Sequence, residues 1–182
     1  MRIEIDNVVI RSAIMEDAVQ LKTWWNDGEV MEHAGFPHGV GVTLEEVEAN
    51  IKSREGKLSQ LCMIEIDCLP VGECNYSIPG DGSAGTGWKI TDPAYQNKGY
   101  GSKVILALLE FLFTDIAINT LKPIERVEWD TALENQRAQH VYEHKIGARK
   151  ARVLESAWKD QLGNWRSSAE YSISKEEFFA SR

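Results

Sequence analysis

The sequence predicts a chain of the α/β class, and two stretches carry that expectation. An apolar, strand-like run, Gly87-Trp88-Lys89-Ile90-Thr91, leads through the loop Gln96-Asn97-Lys98-Gly99-Tyr100-Gly101 into an apolar helix. A strand and a second helix follow at once. Val127, Trp129 and Thr131 alternate with Glu128 and Asp130, and Asn135 then opens a segment with Ala138, Val141, Tyr142 and Ile146 on one side. Alternation at period two marks the strand, and spacing of three and four marks the helices.

The elements can be read in chain order. Residues 8–13 read as a first strand and 15–25 as a helix with Ala18, Leu21 and Trp25 on its buried side. Residues 26–42 are glycine-rich and carry Phe36-Pro37-His38-Gly39, so a loop with short helical pieces is expected. Thr43-Leu44-Glu45-Glu46 is a capping box, with Thr43 as N-cap, and its helix should run to about residue 54. Residues 61–66 and 71–78 read as strands joined by a turn at 67–70, and 79–85 as a turn. After the loop, Val104, Ile105, Leu108, Leu109, Leu112, Phe113 and Ile116 form one helical face. Gly147 ends the second helix, strands near 148–155 and 169–173 flank a turn at 161–165, and Ser174 caps a short last helix.

The loop has a physical meaning of its own. The first N–H groups of a helix lack internal partners, and the helix dipole adds partial positive charge there. Glycine lets backbone close around a phosphate without a Cβ in the way, and Lys98 adds a cation. The spacing matches neither a P-loop nor a dinucleotide-binding turn.

It fits Q/R-x-x-G-x-G/A, and Asn135 to Gly147 fits N-x-x-A-x-x-x-Y-x-x-x-G. In both motifs the chain resembles the GNAT N-acetyltransferases, closest to the ribosomal-protein and aminoglycoside acetyltransferase branch. The resemblance covers nearly the whole chain. It implies a GNAT acyl-CoA N-acyltransferase fold with a mixed central sheet flanked by helices, spanning residues 1–182 as one domain. It implies acetyl-CoA as co-substrate and a primary amine, on a protein N-terminus or a small molecule, as acceptor. The loop residues Gln96, Asn97, Lys98, Gly99, Tyr100, Gly101 and Ser102 would cradle the pyrophosphate. Backbone groups of Trp88 and Ile90 would pair with the pantetheine arm, with an N–H near Ile90 on the thioester oxygen. Asn135 would touch the pantetheine arm besides capping its helix, and Tyr142 would protonate the departing thiolate.

The general base is less well marked. Many relatives carry a glutamate where this chain has Gly85 or Thr86. Glu73, on the neighbouring strand, is the replacement candidate, ahead of Asp130 and Glu128. A chain without the usual base could also be a non-catalytic acyl-CoA sensor. Trp24-Trp25-Asn26-Asp27 resembles the acceptor region of the branch named above, with Trp25 expected in the core. Trp158, Trp165 and Tyr171 are candidates for a second acceptor wall, and Asp160 for a contact to a cationic acceptor. His140-Val-Tyr-Glu143-His144 spells H-x-x-E-H, an inverted zinc-protease signature. No third ligand follows at a suitable spacing, so no metal is expected.

Bulk properties bound the rest. At 182 residues, 43% hydrophobic and 26% charged, the chain suits one folded domain. No run is long enough to span a membrane, and the charged N-terminus has no apolar signal region. The net charge of -8 disfavours nucleic acid and suits a cationic acceptor. Cys62, Cys68 and Cys74 lack metal-like spacing and read as thiols of a reducing cytoplasm. A homodimer is compatible with all of this.

Overall fold

The structure, a computed structural model, describes residues 1–180; positions 181 and 182 of the expected domain lie outside the described residues. Strands β1 (Arg2–Ile5) and β2 (Val8–Ser12) form a hairpin, and β3 (Ser59–Ile66), β4 (Leu69–Ser77) and β5 (Ser83–Ile90) extend it as a meander. Strands β6 (Arg126–Ala132), β7 (Arg149–Lys159) and β8 (Trp165–Ser174) complete one sheet in the order β1-β2-β3-β4-β5-β6-β8-β7. The pair β5–β6 is parallel and the other described pairs are antiparallel, so the sheet is mixed.

Helices cover both faces. On one lie α1 (Ala18–Trp25), α2 (Gly28–Met31) and α3 (Leu44–Ser53). On the other, α4 (Tyr100–Thr114) and α5 (Ile116–Leu121) make the crossover from β5 to β6, and α6 (Gln136–Val141) continues as a π-turn over Tyr142–Ile146. A final helix, α7, spans Lys175–Ala180. The main core joins Leu108, Leu109, Leu112 and Phe113 of α4 to Ile64, Tyr76, Val127 and Ile173 of the sheet. The smaller core joins Leu21 and Trp24 of α1, Val47 and Ile51 of α3, and Met63 of β3. Cys62 and Ile64 point to one core and Met63 to the other, as strand alternation requires.

Several local readings hold. Thr43 Oγ1 accepts from the Glu46 N–H, and Glu46 returns a bond to the Thr43 N–H. Ser174 and Glu177 repeat the pattern at α7. Gly147 ends the second helix in the left-handed region, at φ +77°. All three cysteines are free, with Cys62 and Cys74 buried as directly opposed partners on β3 and β4.

Other readings are corrected. A strand, β1, precedes the expected first one, because Ile3 and Ile5 alternate inward and Asp6, at φ 52°, turns the chain. The first helix begins as a 3-10 turn at Met15–Asp17, with α1 starting at Ala18. Ala18 and Leu21 are buried as expected, but the tryptophan buried beside them is Trp24, and Trp25 is only half-buried. The α4 face stops before Ile116, which is 82% exposed, because Asp115 leaves helical geometry and caps α5 through the Ile118 N–H. Strand β5 begins at Ser83, inside the expected turn.

Candidate active site

The parallel pairing of β5 with β6 is brief. It joins Ser83 to Arg126, Ala84 to Val127 and Gly85 to Glu128, and goes no further. Beyond Gly85 the two strands separate while β5 stays paired to β4 up to Ile90. Backbone groups alternate sides along a strand. The Thr91 N–H bonds to the Val71 carbonyl at 2.8 Å, on the β4 side. The groups of Ile90 and Trp88 therefore face the side that β6 has left. There the Ile90 carbonyl accepts from the Gln96 side chain at 2.9 Å, and Gln96 in turn accepts from Arg137 at 3.1 Å. Gln96 thus ties the end of β5 to α6.

The glycine loop follows directly. Asn97 (φ 59°) and Gly99 (φ 83°) both take the left-handed conformation that turns the chain into α4. Gly99 is the N-cap of α4 and offers no side-chain cap, and the first turn carries no acidic residue. Its outward N–H groups are thus left for an anion. A Cβ added at Gly99 or Gly101 would meet no protein atom within 4 Å, so both glycines border open space. Ser102 Oγ donates to the Gly99 carbonyl at 2.9 Å, Tyr100 accepts from Asn7 at 3.3 Å, and Lys98 is exposed.

Where β5 and β6 part, four aromatic rings meet. Trp88 of β5 lies 5.2 Å from Trp129 of β6, and Tyr142 lies 5.7 Å from Trp88, 5.6 Å from Trp129 and 5.1 Å from Tyr171 of β8. The Trp88 indole N–H donates to the Tyr142 hydroxyl oxygen at 3.2 Å. Burial pushes the Tyr142 phenol up to about 12, against the pull of the Trp88 bond. The Trp129 indole N–H is buried with no protein acceptor, a donor that a bound group would satisfy. Asn135 caps α6 through the Ala138 N–H at 3.2 Å and donates to Thr131 at 3.3 Å.

Glu73 is on the other face of the sheet. Its register partner is Lys89, whereas Trp88 pairs with Cys74. The Glu73 carboxylate accepts from the Trp25 indole at 2.9 Å and lies 3.6 Å from the Lys89 ammonium. Burial lowers the Lys89 pKa, and Glu73 partly offsets this. Further along that face is a cavity of about 700 Å³ lined by Asn75, Gly87, Glu128, Asp130, Arg152 and Glu170, among others. Asp130 is exposed at the cavity rim, where partial desolvation, with the nearby Glu170 charge, raises its carboxyl above its ordinary value. Arg152 is paired with Glu170.

Three acceptor-wall candidates separate. Tyr171 joins the aromatic cluster, while Trp165 is 61% exposed beneath Lys159. Trp158 packs over Gly35, where a Cβ would stand 2.2 Å from its ring. Asp160 is buried in its own turn, accepting from the Leu162 and Asn164 N–H groups at 3.0 and 2.9 Å. His140 and His144 are exposed, with rings 4.6 Å apart. Glu143 between them accepts from the Tyr171 hydroxyl at 2.8 Å and pairs with Lys150 at 2.9 Å. No group of three or more metal-ligating side chains occurs among the described residues.

Residues 7–149 match the acetyltransferase (GNAT) domain family. The chain belongs to the GNAT family. It is accordingly an acetyl-CoA-dependent N-acetyltransferase. An uncharacterized N-acetyltransferase of Bacillus subtilis, YnaD, is 27% identical over 124 residues, covering 66% of this chain and 71% of that protein. The spermidine N-acetyltransferase of Vibrio cholerae, solved with CoA and spermine, superposes with a TM-score of 0.80 at 17% identity. That match covers 96% of this chain and 99% of the solved one. RimL, a ribosomal L7/L12 alpha-N-protein acetyltransferase solved with CoA, gives 0.78 at 14% identity, over 96% and 98% of the two chains.

The residues of this GNAT chain fit its co-substrate. An uncapped helix end with two open glycines suits a pyrophosphate, and an unpaired strand edge suits the amides of a pantetheine arm. Of the residues expected from sequence, the loop, Trp88, Ile90, Asn135 and Tyr142 gather on the α4 side of the opened edge. Glu73 does not join them. Missed in the sequence were the side-chain bond from Trp88 to Tyr142, the Gln96–Arg137 tie and the orphan N–H of Trp129. Only the tryptophans left a trace there, as large rings facing each other across two strands.

Proposed function

We propose that this acetyltransferase acts on a primary amine that arrives from the acidic cavity and meets the thioester at the parting of β5 and β6. The observation that carries the reading is the Tyr142 hydroxyl, buried beside the unpaired edge of Trp88 and Ile90. The α4 end, with Lys98, would hold the pyrophosphate, and Gln96 and Asn135 would fix the two elements around the pantetheine arm. A backbone N–H at Ile90 would stabilise the oxyanion. As the amine nitrogen bonds to the acyl carbon and the carbon–sulfur bond breaks, Tyr142 would pass its proton to the thiolate. The tyrosinate would regain a proton from solvent.

An ammonium cannot attack until it loses a proton. Glu73 is engaged by Trp25 and Lys89, and its geometry suits holding Lys89. Asp130 fits proton removal better: it lines the cavity and its raised value brings it closer to neutral, where a base works best. Glu128 and Glu170 would add the negative field that collects a cationic amine. The spermidine enzyme and RimL act on amines of two kinds, and the cavity's charge favours a cationic small molecule over a neutral partner.

Screening polyamines, aminoglycosides and N-terminal peptides with acetyl-CoA, read by thiol release, tests this. Turnover with an amine, lost when that amine is methylated to a quaternary centre, is the expected result. Binding of acetyl-CoA without turnover of any amine would leave only a sensing role.

A further inference from the structure

We propose that the side chain of Trp88 is a positioning residue for the reaction, orienting the Tyr142 hydroxyl so that its proton points at the departing sulfur. This rests on the reading of Tyr142 as proton donor. An indole N–H can only donate, and a phenol oxygen carries one proton and accepts through its lone pairs. In the 3.2 Å contact, Trp88 must therefore occupy a lone pair of Tyr142 and cannot take its proton. The phenol proton is left facing elsewhere. Rotation of the ring is restricted from three sides, by Trp88, Trp129 and Tyr171 at 5.7, 5.6 and 5.1 Å.

The bond also suits the chemistry. A donor on the phenol oxygen stabilises the phenolate that remains after proton transfer, and so makes the phenol a better acid. Among the influences on Tyr142, burial raises its pKa most and the Trp88 bond is the strongest that lowers it. Trp88 sits on β5 three residues past the last pairing with β6, so its backbone borders the unpaired edge while its ring reaches the acid. One residue thereby couples the edge expected to hold the acyl donor to the group expected to protonate its sulfur.

A double-mutant cycle tests the inference. Trp88→Phe keeps a ring in place and removes the N–H. It should lower kcat about tenfold, the worth of one hydrogen bond, with KM for acetyl-CoA changed less than about twofold. In a Tyr142→Phe background the same change should have no further effect on kcat, because the hydroxyl it orients is gone. Multiplying losses, or wild-type kcat in Trp88→Phe beside a slow Tyr142→Phe, overturns the inference alone. Full activity in Tyr142→Phe overturns the proton-donor reading and this inference with it. A readout free of Trp88 variants is the indole N–H resonance of Trp88, which should move upfield in Tyr142→Phe; an unmoved resonance means the bond is not made.

Discussion

Trp25 donates its indole N–H to Oε2 of Glu73 at 2.9 Å, and this bond fastens α1 to β4 across the second core. With Lys89 3.6 Å from the other carboxylate oxygen, Glu73 joins a tryptophan, a lysine and two strands. Removing its charge would leave a largely buried ammonium without a counterion. Glu73→Gln should therefore cost about 1–3 kcal/mol in urea unfolding at pH 7. The sign with pH follows from Lys89, whose value is lowered by burial and only partly restored by Glu73. Such a lysine weighs on the fold while charged and ceases to above its ordinary value of about 10.4. The deficit should shrink between pH 7 and pH 10. An activity loss confined to low pH and restored at high pH would instead make Glu73 the base.

Gly101 separates binding from folding more cleanly than Gly99. Gly99 sits at φ +83°, where any side chain is strained, whereas Gly101 is helical and borders open space. Gly101→Ala should raise the melting temperature of the free protein, by about 0.4–1 kcal/mol in stability, because the unfolded chain loses freedom. The loop motif admits alanine here, so the methyl should leave the anion cradle usable, whereas the bulky side chain of Gly101→Leu would fill it. In Gly101→Leu, acetyl-CoA should then give a much smaller thermal shift than in the wild type. An undiminished shift would move the pyrophosphate elsewhere.

Tyr142→Phe should lower kcat by about 10²–10⁴-fold, the usual worth of general acid catalysis, while acetyl-CoA binding by calorimetry stays nearly intact. The ring contacts that bury Tyr142 survive this change. Because its phenol lies near about 12, the acid stays protonated through the neutral range, and no alkaline fall in kcat below about pH 10 should come from it.

The features legible in the sequence are those whose physics is local. A glycine loop ahead of a helix, an asparagine cap at Asn135 and the Thr43–Glu46 box each need only a few neighbouring residues. Their geometry is as expected. What failed depends on distant packing. Trp24 is buried where Trp25 was expected, because spacings of three and four from Leu21 both lie on one helical face and packing decides between them. The end of the β5–β6 pairing at Gly85 is set by β6, which lies some 40 residues away in the chain. Glu73 looked free because its partners, Trp25 and Lys89, are on other elements. Asp160 is the exception, consumed by near neighbours in its own turn, the Leu162 and Asn164 N–H groups.

Asp130 carries the last prediction, in which activity and stability must agree. If it takes the amine proton, kcat/KM for the acceptor should fall as pH drops through its raised value, and Asp130→Asn should remove that limb with a loss of about 10²-fold or more. Its effect on folding has the opposite sign. Partial desolvation and Glu170 raise the carboxyl in the folded state above its unfolded value. The fold therefore disfavours the carboxylate, and this penalty is present above the folded value and absent below the unfolded one. Asp130→Asn should thus stabilise the protein slightly at pH 7, the gain kept small because solvent screens so exposed a side chain, and change nothing near pH 3. A variant slower at neutral pH yet more stable there marks a residue kept for chemistry at the expense of folding. A variant both slower and less stable at pH 7 would show that Asp130 supports the cavity wall instead.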